Sequence, residues 1–220
     1  MSDILSEQKR YYAARAPEYD DWWFRRGRYE LEPEELGRWQ ADVAEAEAAL
    51  DAFAPRGEVL ELAAGTGIWT RRLVRLAGHV VAVDANPETL ALNTPEVEHV
   101  VADLFAWQPD ERFDLCFFSF WLSHVPEERF EAFWATVRAA LKPGGRVFLV
   151  DNSAGGEPSH AWPRDGERET RTLSDGRAFT IVKTRRTGDE LRARVAPLGF
   201  ELDLHVTGNG HFLVGGGVRA

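Results

Sequence analysis

From Gly57 onward, short β-branched runs alternate with stretches of helical periodicity, the pattern of βαβ units that feed a mostly parallel sheet. The runs are Glu58–Leu62, His79–Asp84, Val97–Val101, Asp114–Phe118 and Arg146–Val150, enough for one doubly wound sheet. Asn86 followed by Pro87 reads as a helix N-cap and first helical residue, since the Asn side chain accepts an orphan amide and Pro has none to leave unpaired. Phe130, Phe133, Trp134, Val137 and Leu141 recur at helical spacing, and Lys142-Pro143-Gly144-Gly145 then stops the helix. Val43, Ala46, Leu50 and Phe53 mark an amphipathic helix ahead of the first strand. Thr187 and Glu190 form a capping box before Leu191, Val195 and Leu198, with Gly199 just past the end. An irregular charged stretch from Asn152 to Thr170 precedes two alternating segments joined at Ser174-Asp175-Gly176, a β-hairpin signal. Phe200–Val206 and His211–Val218 read as two final strands around Thr207-Gly208-Asn209-Gly210.

These patterns divide a single domain, 1–220, into an N-terminal helical lid or extension (1–56), a cofactor-binding core (57–151), an inserted loop and hairpin (152–187), and a C-terminal helix and strands (188–220). With 44% hydrophobic and 28% charged residues, the chain has the composition of a globular protein, which excludes disorder and collagen-like architectures. No apolar run is long enough to cross a bilayer and the N-terminus lacks the apolar region of a signal peptide, so a cytoplasmic protein without membrane contact is expected. Cys116 is the single cysteine, which rules out a disulfide within the chain and a multi-cysteine zinc cage. Twenty-six Lys plus Arg against 36 Asp plus Glu give a net charge of −10, unfavourable for a phosphate backbone, so no nucleic-acid partner is expected. A monomer and a homodimer remain open.

Val59 to Thr70, VLELAAGTGIWT, carries the strongest chemical signal. Gly65 and Gly67 fall at the end of a buried strand and the start of a helix, where a tight turn must let a ligand approach the backbone. Asp84 closes the next strand 19 residues after Gly65, placed to accept both hydroxyls of a ribose. Either glycine alone would be as consistent with a structural turn. The complete strand, loop, helix, strand and acid unit points to an adenosine-type cofactor. Thr70 stands where a dinucleotide fingerprint has its third glycine, which disfavours a pyrophosphate.

With these residues the sequence resembles the class I S-adenosylmethionine-dependent methyltransferases. Glu61-Leu62-Ala63-Ala64-Gly65-Thr66-Gly67 is similar to their first motif, Asp84 to their ribose acid and Asp103 in VVADLF to their adenine-side acid. Phe113-Asp114 through Phe118-Ser119-Phe120 resembles their fourth motif, and Leu141-Lys142-Pro143-Gly144-Gly145-Arg146 their signature after the following helix. The resemblance implies an α/β, Rossmann-like seven-stranded sheet with an antiparallel last strand, and S-adenosylmethionine as cofactor. It implies cofactor contacts from Glu61, Ala63, Gly65, Gly67 and Trp69 in the loop, Asp84 and Ala85 after the second strand, Asp103, Leu104 and Phe105 at the adenine, Ser119, and Tyr11 and Tyr19 from the lid. Ala63 departs from the glycine that many members have. Asp103 alternatively reads as a loop acid and Asp114 as a structural one.

The segments YYAARAPEYD, DLFAWQPDERFD, LSHVPEERFEAFW and RTLSDGRAFTIVK extend the resemblance to dehydrophos-type O-phosphonate methyltransferases, hairpin included. This implies a small-molecule substrate whose anion is held by Arg171 and Lys183. Arg26 departs from the resemblance, standing where those enzymes have a substrate-contacting tyrosine, and with Tyr29, Trp121 and His124 completes the candidate substrate residues. Arg171 lies four residues before Asp175 and Lys183 eight after it, on opposite arms with no acid on either arm expected apart from Asp175 at the corner, so the pair suits an oxyanion or, alternatively, forms a solvated face. An anionic acceptor oxygen needs no general base; a neutral hydroxyl does, and His124 is the candidate, unless it only orients substrate or packs. The other histidines, His79, His99, His160, His205 and His211, are dispersed without metal-ligand spacing, and no metal is expected. Tyr11, Tyr12, Arg15, Tyr19, Trp22, Trp23, Arg25, Arg26 and Tyr29 form either a lid that sheds water over the reaction or an amphipathic helix packed on the sheet edge. The expected activity is methyl transfer to oxygen of a small anionic or hydroxylated metabolite, a phosphonate or carboxylate favoured. The alternatives are a non-catalytic S-adenosylmethionine-binding module, a nicotinamide-dependent oxidoreductase, and methylation of a macromolecule.

Overall fold

A computed structural model describes residues 2–155 and 163–220; His160 and residues 156–162 of the charged stretch lie outside them. In chain order the elements are α1 (Ser2–Arg15), α2 (Tyr19–Trp23), α3 (Pro33–Phe53), β1 (Glu58–Leu62), α4 (Thr70–Leu76), β2 (His79–Asp84), α5 (Pro87–Leu90), β3 (Glu98–Val101), β4 (Phe113–Ser119), α6 (Phe130–Ala140), β5 (Leu141–Asn152), β6 (Arg164–Asp165), β7 (Arg168–Thr172), β8 (Ala178–Val182), α7 (Gly188–Val195), β9 (Phe200–Val206) and β10 (Phe212–Arg219).

Seven strands form one sheet in the order β3-β2-β1-β4-β5-β10-β9. The first five run parallel, and β10 runs antiparallel to both β5 and β9. Leu60 of β1 lies level with Val81 of β2 and Cys116 of β4. Successive residues point to opposite faces, and both faces are covered, which is why β1 and β4 read as continuous apolar runs. On one face Leu60, Cys116 and Phe118 meet the stripe of α6, with Trp134 fully buried, and Leu191 and Val195 of α7. On the other, Val59, Leu115 and Phe117 meet Ala46 and Leu50 of α3, Leu73 of α4, and Trp23, Trp39 and Trp69. The order reverses between β1 and β4, the switch point where parallel sheets of this kind open a crevice at the strand carboxyl ends.

Two local expectations are corrected. Lys142-Pro143-Gly144-Gly145 does not separate α6 from a later strand: β5 begins at Leu141, directly after the helix. The register shifts between Phe113↔Leu141 and Leu115↔Arg146, so the four residues bulge outward, with Gly144 at φ +70°. Asn86 makes no side-chain cap on α5, a helix of only four residues, and its backbone N–H is held by an Asp84 carboxylate oxygen at 2.8 Å. The capping box at Thr187 and Glu190 forms with both bonds in place.

The hairpin, β7 and β8 with β6, makes a separate three-stranded sheet on which α1 lies, around Tyr11, Leu173 and Ile181. Glu7 and Gln8 of α1 accept hydrogen bonds from Thr180 and Val182 of β8, at 2.7 and 3.0 Å. No helix among the described residues is long and apolar enough to cross a membrane.

Asp42 of α3, with no exposed side-chain surface, fastens the turn between β9 and β10. It accepts from the Thr207 hydroxyl, the Asn209 amide and side chain, and the His211 amide, and it meets His211 Nδ1 at 2.7 Å. These donors outweigh burial and hold its carboxyl down at about 2. Its stabilising contribution is therefore complete above the unfolded value of about 4 and is lost as pH falls toward 2. Asp42→Ala, which strands several buried donors, is expected to lose about 3–5 kcal/mol in urea unfolding at pH 7.

Candidate active site

The chain leaves β1 through Ala63 and Gly65, both at positive φ (+54° and +56°), and enters α4 past Gly67 at +84°. Gly65 N–H donates to Asp84 Oδ2 at 3.0 Å while Asn86 N–H donates to Oδ1 at 2.8 Å, so the carboxylate ties the loop to the end of β2. Burial pushes the Asp84 carboxyl up, and these amides oppose it. Below the loop, Glu61 accepts from Thr70 Oγ1 at 2.5 Å and burial pushes its carboxyl up to about 8. Above it, Thr66 Oγ1 donates to Asp20 of α2 at 2.5 Å, fastening the lid to the loop.

A cleft at this point is walled by Ala63, Gly65, Asp84, Ala85, Asp103, Leu104, Phe105, Ser119 and Trp121, and on its outer side by Leu5, Gln8, Lys9 and Tyr12 of α1. Lys9 Nζ donates to Asp103 Oδ2 at 2.5 Å, an ion pair that ties α1 to the loop after β3. With α1 in place the cleft encloses about 70 Å³, narrower than the ~300 Å³ or more usual for a ligand pocket.

A second cavity of about 400 Å³ opens beside it. Tyr11, Arg15, Tyr29, Arg171 and Lys183 line it, together with Trp22, Arg25, Trp39 and His211. Tyr12, Tyr19, Phe120 and His124 line both spaces and form their common wall. His124 is buried, and desolvation together with the Lys183 charge holds its imidazole well below the usual histidine range, hence neutral. Its Nδ1 lies 2.7 Å from the Val182 carbonyl, which only accepts, so Nδ1 carries the proton. Nε2 then accepts from the Tyr12 hydroxyl at 2.7 Å. Lys183 Nζ donates to Ser123 Oγ at 2.7 Å and Asn152 Oδ1 at 2.8 Å, and burial lowers its pKa to about 8. Arg171 forms an ion pair with Glu169 two residues back on β7, an acid on the hairpin arm that shares its charge.

The structure brings together Ala63, Gly65, Asp84, Ala85, Asp103, Leu104, Phe105, Ser119 and Tyr19 at the cleft, and Tyr29, His124, Arg171 and Lys183 at the cavity. Others it places elsewhere. Arg26 points away from both spaces, 60% exposed and paired with Asp21 at 3.1 Å, and its neighbour Arg25 lines the cavity instead. Trp69 is buried against Trp23 and Phe117 in the core. Gly67 faces Asn93, where a Cβ would come within 2.3 Å of the side-chain oxygen, and Glu61 lies under the loop rather than at the cleft. Tyr11 belongs to the acceptor side and Trp121 to the cleft, against Phe105, the reverse of their expected roles. Leu5, Gln8 and Lys9 join Tyr12, a residue the sequence names only for the lid, on the face of α1 that walls the cleft. Their spacing 5, 8, 9, 12 is one face of a helix, the signal that finds them.

A family model described as "Methyltransferase domain" matches residues 59–145, from β1 into β5. Among solved structures, the DhpI-SAM-HEP complex matches 99% of this chain and 98% of its own at 38% identity, with a TM-score of 0.80. The chain belongs to the class I S-adenosylmethionine-dependent methyltransferases. The 1,6-didemethyltoxoflavin-N1-methyltransferase of Burkholderia thailandensis, 19% identical over all of this chain and 90% of its own with a TM-score of 0.66, shares the fold. The probable thiol methyltransferase 2 of Arabidopsis thaliana is 30% identical over 119 residues, 47% of this chain, and the match spans about half that relative's length (52%). In this methyltransferase the cleft suits S-adenosylmethionine. Gly65 presents no Cβ toward it, the Asp84 oxygens keep lone pairs for ribose hydroxyls, and Leu104 and Phe105 offer apolar walls for adenine.

Proposed function

We propose that the enzyme methylates an oxygen of a small anionic metabolite, a phosphonate or carboxylate. The observation that carries this reading is the common wall: a cavity holding Arg15, Arg171 and Lys183 meets the cofactor cleft at a histidine whose one basic nitrogen is already occupied. Likeness over the full chain to DhpI, solved in complex with SAM and HEP, supports it. An open, polar acceptor cavity beside the cleft favours an enzyme over a binding module, since Trp22 only lines that cavity and Trp23 is turned into the core.

When bound, the cofactor supplies a methyl group on a sulfonium, an activated leaving group. The chain's own residues then have to align the acceptor and exclude water. Lys183, held by Ser123 and Asn152, keeps one N–H for the acceptor, and Arg171 offers its planar fork beside it. Tyr12, fixed by His124, separates the two spaces, while the Lys9–Asp103 ion pair holds the lid at the adenine end. No proton has to leave an anionic oxygen, so His124 acts by orienting Tyr12.

The pH profile tests this. Lys183 is cationic below about 8, so kcat/KM for an anionic acceptor is expected to fall about tenfold per pH unit above that value. Lys183→Arg removes that limb, since guanidinium stays charged. His124→Gln lowers the rate but leaves the profile's shape unchanged between about pH 6 and 9. A profile flat to pH 9.5, or a neutral phenol preferred to every anion, overturns the reading.

A further inference from the structure

The acceptor cavity continues past Lys183 to a wall built from other elements, and there lies a cation that the methyl-transfer geometry does not use. Arg25 is 9% exposed, lines the cavity, and stacks over Trp39 with its guanidinium carbon 3.4 Å from the ring centroid. Among the described residues no carboxylate pairs with it, and its buried Nε has no hydrogen-bond partner. Asn209 and His211 line the same region, His211 turned edge-on to Trp39 with ring centroids 5.2 Å apart. Glu35 also lines the cavity but is exposed, and Arg38 beside it is paired with Glu34. Arg15 lines the same cavity, and its charge acts on both Lys183 and Arg25.

The backbone adds a second observation. Arg25 has φ +52°, just beyond α2, where the Phe24 and Arg26 amides donate back to Asp20 and Asp21 carbonyls. That is the left-handed position after a helix that favours glycine. An arginine there strains the chain, and the strain directs the guanidinium inward over Trp39 while Arg26 points out. Burying an unpaired cation in a strained residue is costly for packing alone and is explained by an anion that completes it.

We propose that Arg25 binds a second oxyanion of the acceptor, so that the substrate carries two anionic groups: the one methylated at Arg171 and Lys183, and a carboxylate-like group received by Arg25. This rests on the anionic-acceptor reading above and deepens it. The two terminal nitrogens of the Arg25 guanidinium match the two oxygens of a carboxylate, the bidentate geometry that lysine lacks.

The test compares acceptors of equal length with and without the second anion. Alkylphosphonates of two to five carbons are set against the matching ω-phosphonocarboxylates, and monocarboxylates against dicarboxylates. Affinity is measured calorimetrically on the S-adenosylhomocysteine complex and kcat/KM by turnover. At the best spacer the wild type is expected to prefer the dianion by about tenfold or more. In Arg25→Gln the preference falls to about one, and Arg25→Lys keeps part of it. Arg25→Gly relieves the backbone and loses the preference without loss of melting temperature, which separates binding from packing. A ratio near one at every spacer length in the wild type, or a ratio kept in Arg25→Gln and Arg25→Gly, overturns the proposal. Phosphonates methylated with a ratio of one leave the anionic-acceptor reading standing without the second site. Dicarboxylates showing an Arg25-dependent ratio while phosphonates fail to bind leave the second site standing and remove phosphonates. No binding in any series overturns both.

Discussion

Asp84→Ala is expected to reduce affinity for S-adenosylhomocysteine by about a hundredfold or more while the protein stays folded. The carboxylate has two tasks, and both are lost together. It accepts from the Gly65 and Asn86 amides, which fix the glycine loop against β2 and α5. Asp84 also lines the cleft, where its remaining lone pairs are the proposed acceptors for ribose hydroxyls. Hydrogen bonds to a charged group contribute ~1.5–3 kcal/mol each, so two to a ribose amount to two or more decades in affinity. Asp84→Asn keeps the shape but sets an NH₂ group against one of these donors, so it is expected to fall between wild type and Ala. Calorimetry measures the affinity, and far-ultraviolet circular dichroism checks the fold. If Asp84→Asn bound as tightly as the wild type, Asp84 would be a loop fastener with no part in holding ribose.

Lys183→Met is expected to raise KM for an anionic acceptor by roughly a hundredfold, with affinity for S-adenosylhomocysteine within about twofold of wild type. Methionine preserves most of the buried volume and removes the charge and the bonds to Ser123 and Asn152. Lys183 lines the acceptor cavity and not the cleft, so the two affinities separate. A charge-assisted bond to a desolvated oxyanion at ~1.5–3 kcal/mol gives one to two decades, and loss of the ordered Ser123 and Asn152 partners adds to it. Arg171→Ala is expected to act in the same direction. It also takes a cation from Glu169, whose side chain is 1% exposed, so part of its effect is lost stability. Bisubstrate kinetics with methylphosphonate and benzoate, alongside a thermal melt, tell the two apart. Equal losses on cofactor and acceptor would sink the clamp.

The parts of this site legible in the sequence are those that depend on neighbours a few residues away. Gly65 and the strand end at Asp84 announce themselves because the turn after a buried strand and the acid after the next are local geometry. The strands are legible for the same reason, as apolar runs in β1 and β4 and as alternation in β9. What the sequence hides depends on direction or on distant partners. Arg25 and Arg26 are adjacent and alike, and only the left-handed backbone at Arg25 sends one inward and the other to Asp21. Trp69 looks like a loop aromatic until Trp23, 46 residues earlier, is seen packed on it. Tyr11 and Tyr12 are adjacent on α1 and a hundred degrees apart around it, so Tyr11 packs on Phe179 while Tyr12 meets His124. Glu169 sits two residues from Arg171 on the same face of β7, and pairing across that spacing reduces the charge a bare count of cations on the hairpin suggests.

All four tyrosines of the chain, Tyr11, Tyr12, Tyr19 and Tyr29, lie between residues 11 and 29 and line one or both of the spaces that α1 and α2 cover. Biosynthetic replacement of tyrosine by 3-fluorotyrosine therefore places four fluorine nuclei in that segment and none elsewhere. Their magnetic resonance lines report on both spaces at once, without a single engineered substitution.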